Sequence, residues 1–538
     1  MSSIADQPLL SVRNLTVRGP HGTLVRDVSF EVPRGEVLAL VGESGAGKSM
    51  TTLAVLGLLA PGLSATGNID FHPADGPPID LLTLTPQELR RFRLESVGVV
   101  FQNPSSAFDP VHTVGAQIGE VLAARGLPRT QRMGRVTELL ARVRLADPER
   151  VARSYPHQVS GGQLQRAMIA MALAHEPVLI IADEPTTALD ALVQREILDL
   201  LRELRAETGS STLLITHDMG VVADSADRVA VMLDGQIVEQ GDVKAVLGQP
   251  KSDYTRTLVD AVARLDGTTV AGRREFGEAI VTVNAANVTY RGRPNVVALH
   301  DVSLTVPAGQ MVAFVGESGA GKSTLGRVIA GLEPLTSGSA SVAGVDLPVR
   351  RAAGRRALGA KVGIVFQNPA LSLNPEHTVR RSVELPLRIH TDLSPAARVE
   401  RVNELLAEVG LGPEFALRRP RELSGGQQQR VAIARALALD PDVLIADEPT
   451  SSLDARTQRD VLALLSRIRQ HRGLSGIIIT HDFSVAEAVA DRIVVLRNGE
   501  VVEDGPTATV LRAPAHDYTR ALIAAVPLVQ VEGRIGVA

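Results

Sequence analysis

The chain has 538 residues, 44% of them hydrophobic and 22% charged, with a formal net charge of −4. Such a composition is globular and long enough for about two to four domains, and its near-balanced charge argues against a broadly basic nucleic-acid surface. Cysteine is absent, which excludes disulfides, thiolate metal sites and cysteine-ligated iron–sulfur clusters and fits a cytosolic setting.

The opening MSSIADQPLLSVRN has no basic start followed by an apolar core, so no secretory signal is read there. No run reaches the roughly 18 apolar residues of a membrane span. Any membrane role must therefore come through partners. LSVRNLTV and VRDVSFEV predict a small antiparallel sheet at the front of the chain. Next, GEVLALV (35–41) reads as a buried strand that ends in GESGAGKS (42–49), and SMTTLAVLGLL then reads as a helix. In this G-x-x-x-x-G-K-S pattern the glycines let backbone N–H groups curl around phosphate oxygens, and the positive end of the helix faces the same charge. Lys48 would reach the outer phosphates and Ser49 would ligate Mg²⁺.

Downstream, VGVVFQNP (97–104) presents Gln102, a neutral amide able to ligate Mg²⁺ or water and still swing away. VSGGQLQR (159–166) opens a helix with Ser160, Gly161 and Gly162. The hydroxyl, the exposed N–H groups and the helix start could form a second anion site, and an ordinary serine cap with a tight glycine entry is the plainer alternative. The strand in LIIADEP (179–185) delivers Asp183, placed to hold Mg²⁺ directly or through water. It also delivers Glu184, placed to orient or deprotonate an attacking water. After the amphipathic helix ALVQREILDLLRELRAE, the strand in STLLITHD ends at His217, where it could touch a γ-phosphate and keep water and glutamate in register.

The series then repeats. GESGAGKS returns at 316–323 with Lys322 and Ser323, FQNP with Gln367, SGGQ with Ser424, Gly425 and Gly426, IADEP with Asp447 and Glu448, and ITHD with His481. A period this long means duplicated domains. The first copy carries extra residues before its FQNP, expected within SATGNIDFHPADGPPIDLLTLTPQELRRF. We expect domains at 1–265 and 279–538 joined by a linker at 266–278, DGTTVAGRREFGE, small, polar and charged. The predicted fold is α/β: two tandem P-loop domains, each with a mostly parallel core sheet, a small antiparallel β subdomain and an α-helical subdomain carrying SGGQ.

Together these motifs resemble ATP-binding cassette ATPase domains, with Walker A, Q-loop, signature, Walker B and H-loop in family order over nearly the whole chain. The resemblance implies ATP and Mg²⁺ as ligands and a head-to-tail pair of composite sites. In each, the Walker A of one half is capped by the signature of the other. ATP contacts are then implied for Gly42, Glu43, Ser44, Gly45, Ala46, Gly47, Lys48, Ser49, Met50 and Gln102, with Ser424, Gly425, Gly426 and Gln427. The reciprocal set is Gly316, Glu317, Ser318, Gly319, Ala320, Gly321, Lys322, Ser323, Thr324 and Gln367, with Ser160, Gly161, Gly162 and Gln163. Metal contacts are implied for Ser49, Gln102, Asp183, Ser323, Gln367 and Asp447, and catalytic roles for Glu184, His217, Glu448 and His481. Both halves keep glutamate and histidine, so both are expected to hydrolyse ATP. The family often stacks adenine on an aromatic that Tyr290 matches; the first half has Val17 at that spot.

After each half, PKSDYTRTLVDAV and PAHDYTRALIAAVP resemble the carboxyl extension of ATPases from dipeptide, oligopeptide, nickel and opine importers, here in fused form. This implies two permease subunits, an extracytoplasmic solute-binding protein and a place at the cytoplasmic face of the membrane. Many relatives carry a cysteine cluster near that extension; this chain departs from them in having no cysteine, so no iron–sulfur cluster is expected, and its balanced charge argues against a nucleic-acid partner. Regions after each FQNP would face the permeases. A sugar-type, nickel, opine or glutathione importer is the alternative within the class. A ribosome-acting double cassette usually carries a long charged linker, and a DNA-repair ATPase carries zinc cysteines; neither feature is seen.

Overall fold

The computed structural model describes residues 7–43, 45–186, 189–261, 275–292, 295–349, 351–451 and 453–526. Ser44 and linker residues 266–274 lie outside them. The chain divides into two compact units.

In the first unit the strands are β1 (Leu10–Gly19), β2 (Gly22–Val32), β3 (Val37–Val41), β4 (Ser64–Phe71), β5 (Ile79–Asp80), β6 (Val97–Val100), β7 (Leu179–Asp183), β8 (Ser211–Thr216), β9 (Arg228–Leu233) and β10 (Gln236–Asp242). The front sheet runs β2-β1-β4-β5 and is antiparallel. The core sheet runs β10-β9-β3-β8-β7-β6 and is parallel except at the β9–β10 edge. All five residues of β3 are buried, as a central parallel strand covered on both faces requires. Each such Val or Leu contributes about 1.5–3 kcal/mol of burial free energy. Leu40, Ile181 and Ile215 of the core sheet share one core with Leu15 and Val28 of the front sheet.

A separate helical layer is made by Val114–Ala124, Arg129–Arg142, Pro148–Arg153 and Gly161–Leu173, around Ile118, Leu122, Leu139 and Met168. The phosphate-loop helix is Lys48–Val55, shorter than the sequence reading. It stops because Gly57 takes a left-handed φ of 62°. The N–H groups of Gly57 and Leu58 return to the carbonyls of Ala54 and Leu53, a Schellman closure.

The second unit repeats the plan with β11 (Ala279–Tyr290), β12 (Val296–Pro307), β13 (Met311–Val315), β14 (Ser337–Val342), β15 (Val345–Leu347), β16 (Val362–Val365), β17 (Val443–Asp447), β18 (Ser475–Thr480), β19 (Arg492–Arg497) and β20 (Glu500–Pro506). Its sheets run β12-β11-β14-β15 and β16-β17-β18-β13-β19-β20. Part of the first half's extra length lies between the second pair of front-sheet strands. Residues 72–78 join β4 to β5, whereas residues 343–344 suffice between β14 and β15. Each unit closes with a helix of the carboxyl extension, Asp253–Ala261 and Asp517–Ala525. Among the described residues, no helix is long and apolar enough to cross a membrane.

Candidate functional site

Each core sheet delivers its chemistry at the carboxyl ends of its parallel strands. At the end of β3 the chain must pass close under β9. A Cβ on Gly42 would lie 2.3 Å from the Met232 carbonyl oxygen, and one on Gly316 would lie 2.2 Å from that of Leu496. Gly47 and Gly321, at φ 99° and 98°, turn the loop into its helix. Lys48 Nζ donates to the carbonyls of Gly42 (2.6 Å) and Glu43 (3.0 Å), and Lys322 Nζ to those of Gly316 and Glu317, both at 2.7 Å. Burial pushes the Lys322 ammonium below its usual range. The N–H groups of Glu43 and Glu317 are themselves engaged. They donate to the hydroxyls of Tyr254 (3.0 Å) and Tyr518 (3.1 Å) in the carboxyl extensions.

Beside each loop stand the oxygen donors expected for a divalent cation. Ser323 Oγ donates to Asp447 Oδ1 at 3.0 Å. Burial raises the Asp447 carboxyl, with the Ser323 bond opposing it. Asp183 is pushed up to about 6 by burial and by Glu184, against the pull of Lys48. Hydroxyl, carboxylate and carboxamide oxygens are the hard donors that suit Mg²⁺, so the residues fit the ion.

A testable consequence concerns Asp183. Its folded-state pKa lies above the unfolded value of 3.8, so ionisation destabilises the ligand-free fold fully above pH 6 and not at all below 3.8. Asp183→Asn should raise the melting temperature of the nucleotide-free chain by a few degrees at pH 7.5. That gain should fade between pH 6 and 4. An unchanged or lowered melting temperature at pH 7.5 would reject this reading.

The glutamates are clasped from two sides. Gln102 Nε2 donates to Glu184 Oε2 at 2.7 Å, and His217 Nδ1 meets Glu184 Oε1 at 3.2 Å. In the second half the Gln367–Glu448 and His481–Glu448 distances are 2.6 and 3.1 Å. Burial works against charge on His217 and His481, but the bonds to the glutamates prevail and raise both imidazoles. Burial likewise opposes ionisation of Glu448, and the His481 bond overcomes it. The backbone of both glutamates is left-handed, φ 46° and 44°. Each N–H is anchored on the neighbouring strand, Ile215 O or Ile479 O, at 2.8 Å.

Ser160 and Ser424 cap the helices Gly161–Leu173 and Gly425–Ala436. Each hydroxyl accepts from the N–H of Gln163 or Gln427, and each glutamine side chain accepts from the serine N–H. This capping box gives the serines a structural role of the plainer kind. Tyr290 is 37% exposed, its hydroxyl reaching Glu333 (3.2 Å) and Thr324 (3.4 Å). Val17 is fully buried and offers no ring to a base. Gly45 and Ala46 precede the Gly47 turn and Ser49 and Met50 follow it into the helix, as Gly319, Ala320, Ser323 and Thr324 do around Gly321. Tyr254 and Tyr518 are two further residues at the loops, which the motif chemistry alone does not reveal; their signal in the sequence is the repeated D-Y-T-R of the two extensions.

A phosphate loop, an acidic strand end and a clasped glutamate define a nucleoside triphosphatase of the P-loop class, present twice. The chain matches the ABC transporter family over residues 25–187 and 299–451. It also matches the C-terminal region of oligopeptide/dipeptide transporters over residues 238–282 and 502–536. It is 42% identical to the peptidoglycan transport ATP-binding protein YejF of Agrobacterium fabrum, with 98% of this chain and 97% of the relative covered. It is 41% identical to an uncharacterized ABC transporter ATP-binding protein, YejF, of Escherichia coli K12, over 96% and 99%. Identity to the glutathione import ATP-binding protein GsiA of Salmonella typhimurium is 38%, over 97% and 90%. The chain belongs to the ABC transporter ATP-binding family, as a fused double cassette with the peptide-transporter carboxyl region. It binds and hydrolyses ATP.

Proposed function

We propose that this chain powers an importer of small peptides or peptide-like solutes, working with two permease subunits and an extracytoplasmic solute-binding protein at the cytoplasmic face of the membrane. The carboxyl region shared with oligopeptide/dipeptide transporters carries this reading, and relatives named for peptidoglycan transport and glutathione import support it. The domains are 1–265 and 279–538, joined at 266–278. ATP binds the two phosphate loops through Lys48 and Lys322, each site capped by the other half's Ser-Gly-Gly. Mg²⁺, held by Ser49, Asp183 and Gln102 or by Ser323, Asp447 and Gln367, would neutralise charge on the outer phosphates.

Glu184 and Glu448 orient the attacking water and take its proton at Oε. His217 and His481, donating through Nδ1, keep each carboxylate ionised and aimed. Gln102 and Gln367 link this clasp to the permeases. In the second half, Gln367 lines a groove of about 700 Å³ together with Leu332, Phe366, Leu371, Pro386 and Arg435. Leu371 is 85% exposed there. An apolar permease helix seated in this groove would lie beside the amide that holds Glu448.

Two measurements test the proposal. ATPase activity should rise when permeases and a peptide-loaded binding protein are supplied; full, unresponsive activity in the free chain would remove the coupling. Ser424→Arg should abolish turnover at the site with Lys48 and spare the one with Lys322, scored by trapping a photoreactive nucleotide and mapping the labelled loop. Loss at the Lys322 site instead would reject the crossing.

A further inference from the structure

The carboxyl extension reaches the phosphate loop through a tyrosine hydroxyl in each half, and both halves do it alike. Glu43 N–H donates to Tyr254 Oη at 3.0 Å and Glu317 N–H to Tyr518 Oη at 3.1 Å. The carbonyls of the same two glutamates accept from Lys48 Nζ and Lys322 Nζ at 3.0 and 2.7 Å. A tyrosine hydroxyl and the phosphate-binding ammonium therefore grip one residue of the loop from either side.

The tyrosines are themselves held from behind. Glu239 of β10 accepts the N–H groups of Lys251 and Ser252 at 2.9 and 3.0 Å, just before the helix of Tyr254. Glu503 of β20 accepts those of Ala515 and His516 at 2.8 and 3.1 Å, just before the helix of Tyr518. On the same helices, Leu258 shares a buried cluster with Ala39, Val41 and Val222, against which Tyr254 packs, and Leu522 lies in the core of the second half with Tyr518. The Tyr518 ring is 5% exposed and lies 4.8 Å beneath the Arg497 guanidinium.

We propose that Tyr254 and Tyr518 are positioning residues that strap the first turn of each phosphate loop to the carboxyl extension. The docked extension thereby sets the affinity for ATP. The strap pre-organises the loop before phosphate arrives, so part of its ordering cost is met on folding instead of on binding. The coupling runs both ways: ATP tightens the strap, and a docked extension tightens ATP. This rests on ATP binding at the loops and is independent of the cargo.

The test uses the full chain with Tyr254→Phe, Tyr518→Phe and both together, which keep the rings and remove the hydroxyls. One neutral hydrogen bond lost should raise the ATP dissociation constant roughly three- to tenfold per site. In the permease-reconstituted complex KM should rise with kcat moved less. Hydrogen exchange of peptides spanning 42–49 and 316–323 should quicken, and added ATP should slow exchange in the helices Asp253–Ala261 and Asp517–Ala525. Unchanged affinity and loop exchange in the double variant, with the melting temperature also unchanged, would overturn the strap while leaving the ATP site intact. A lowered melting temperature with normal affinity would overturn it too, reducing the tyrosines to packing. A wild-type chain that bound no ATP would remove the site and the strap together.

Discussion

The double variant Glu184→Gln, Glu448→Gln is expected to bind ATP nearly as the wild type does and to turn over roughly 10²- to 10⁴-fold more slowly, the span of a lost general base. The amide keeps one oxygen for the bonds from Gln102 and Gln367, so the clasp persists in outline. The water loses its proton acceptor. His217 and His481 lose the anion that overcomes their burial, so both should titrate lower, which histidine resonances would report. Single-turnover and equilibrium-binding measurements separate the two effects. Turnover at the wild-type rate would reject these glutamates as bases, and loss of binding would make them ligands.

Gly42→Ala and Gly316→Ala should each cost the loop its shape. The added methyl would meet a main-chain carbonyl at 2.3 or 2.2 Å, and neither partner can swing aside because both are backbone. At Gly316 the φ of 152° adds strain that glycine avoids. We expect roughly a hundredfold loss of ATP affinity and about 2–4 kcal/mol of stability, within the range of severe single substitutions. Gly119→Ala, in the helix Val114–Ala124 with open space around its Cβ, should be neutral or slightly stabilising. Calorimetric melting of the three variants would decide. Equal stability for Gly42→Ala and Gly119→Ala would contradict the close approach.

Much of this was legible in the residues. Strand, glycine loop and lysine at 35–48 announce a phosphate cradle because the chemistry is local. IADEP and ITHD place acid and histidine at strand ends for the same reason. The clasp on Glu184 was less accessible, since Gln102 lies 82 positions away and only the order of parallel strands brings them together. The tyrosine strap was out of reach. Its partners are separated by 211 positions in one half and 201 in the other, and a hydroxyl meeting a backbone N–H leaves no pattern in side-chain chemistry. The end of the first loop helix was readable in principle from Gly57, but the apolar run beyond it masked the stop. The serines of SGGQ carried two readings. The capping box supplies one of them without bearing on the other, because a cap and an anion contact use different N–H groups of the same helix start.

The left-handed backbone at Glu184 and Glu448 limits what a mutagenesis series there can mean. A branched residue such as Val or Thr resists that twist, so its inactivity would report a displaced strand end as much as a missing carboxylate. Asn and Gly accept the bend readily. Ranking replacements by their tolerance for the turn, beside their capacity to accept a proton, disentangles posture from chemistry at the two glutamates proposed to activate the water.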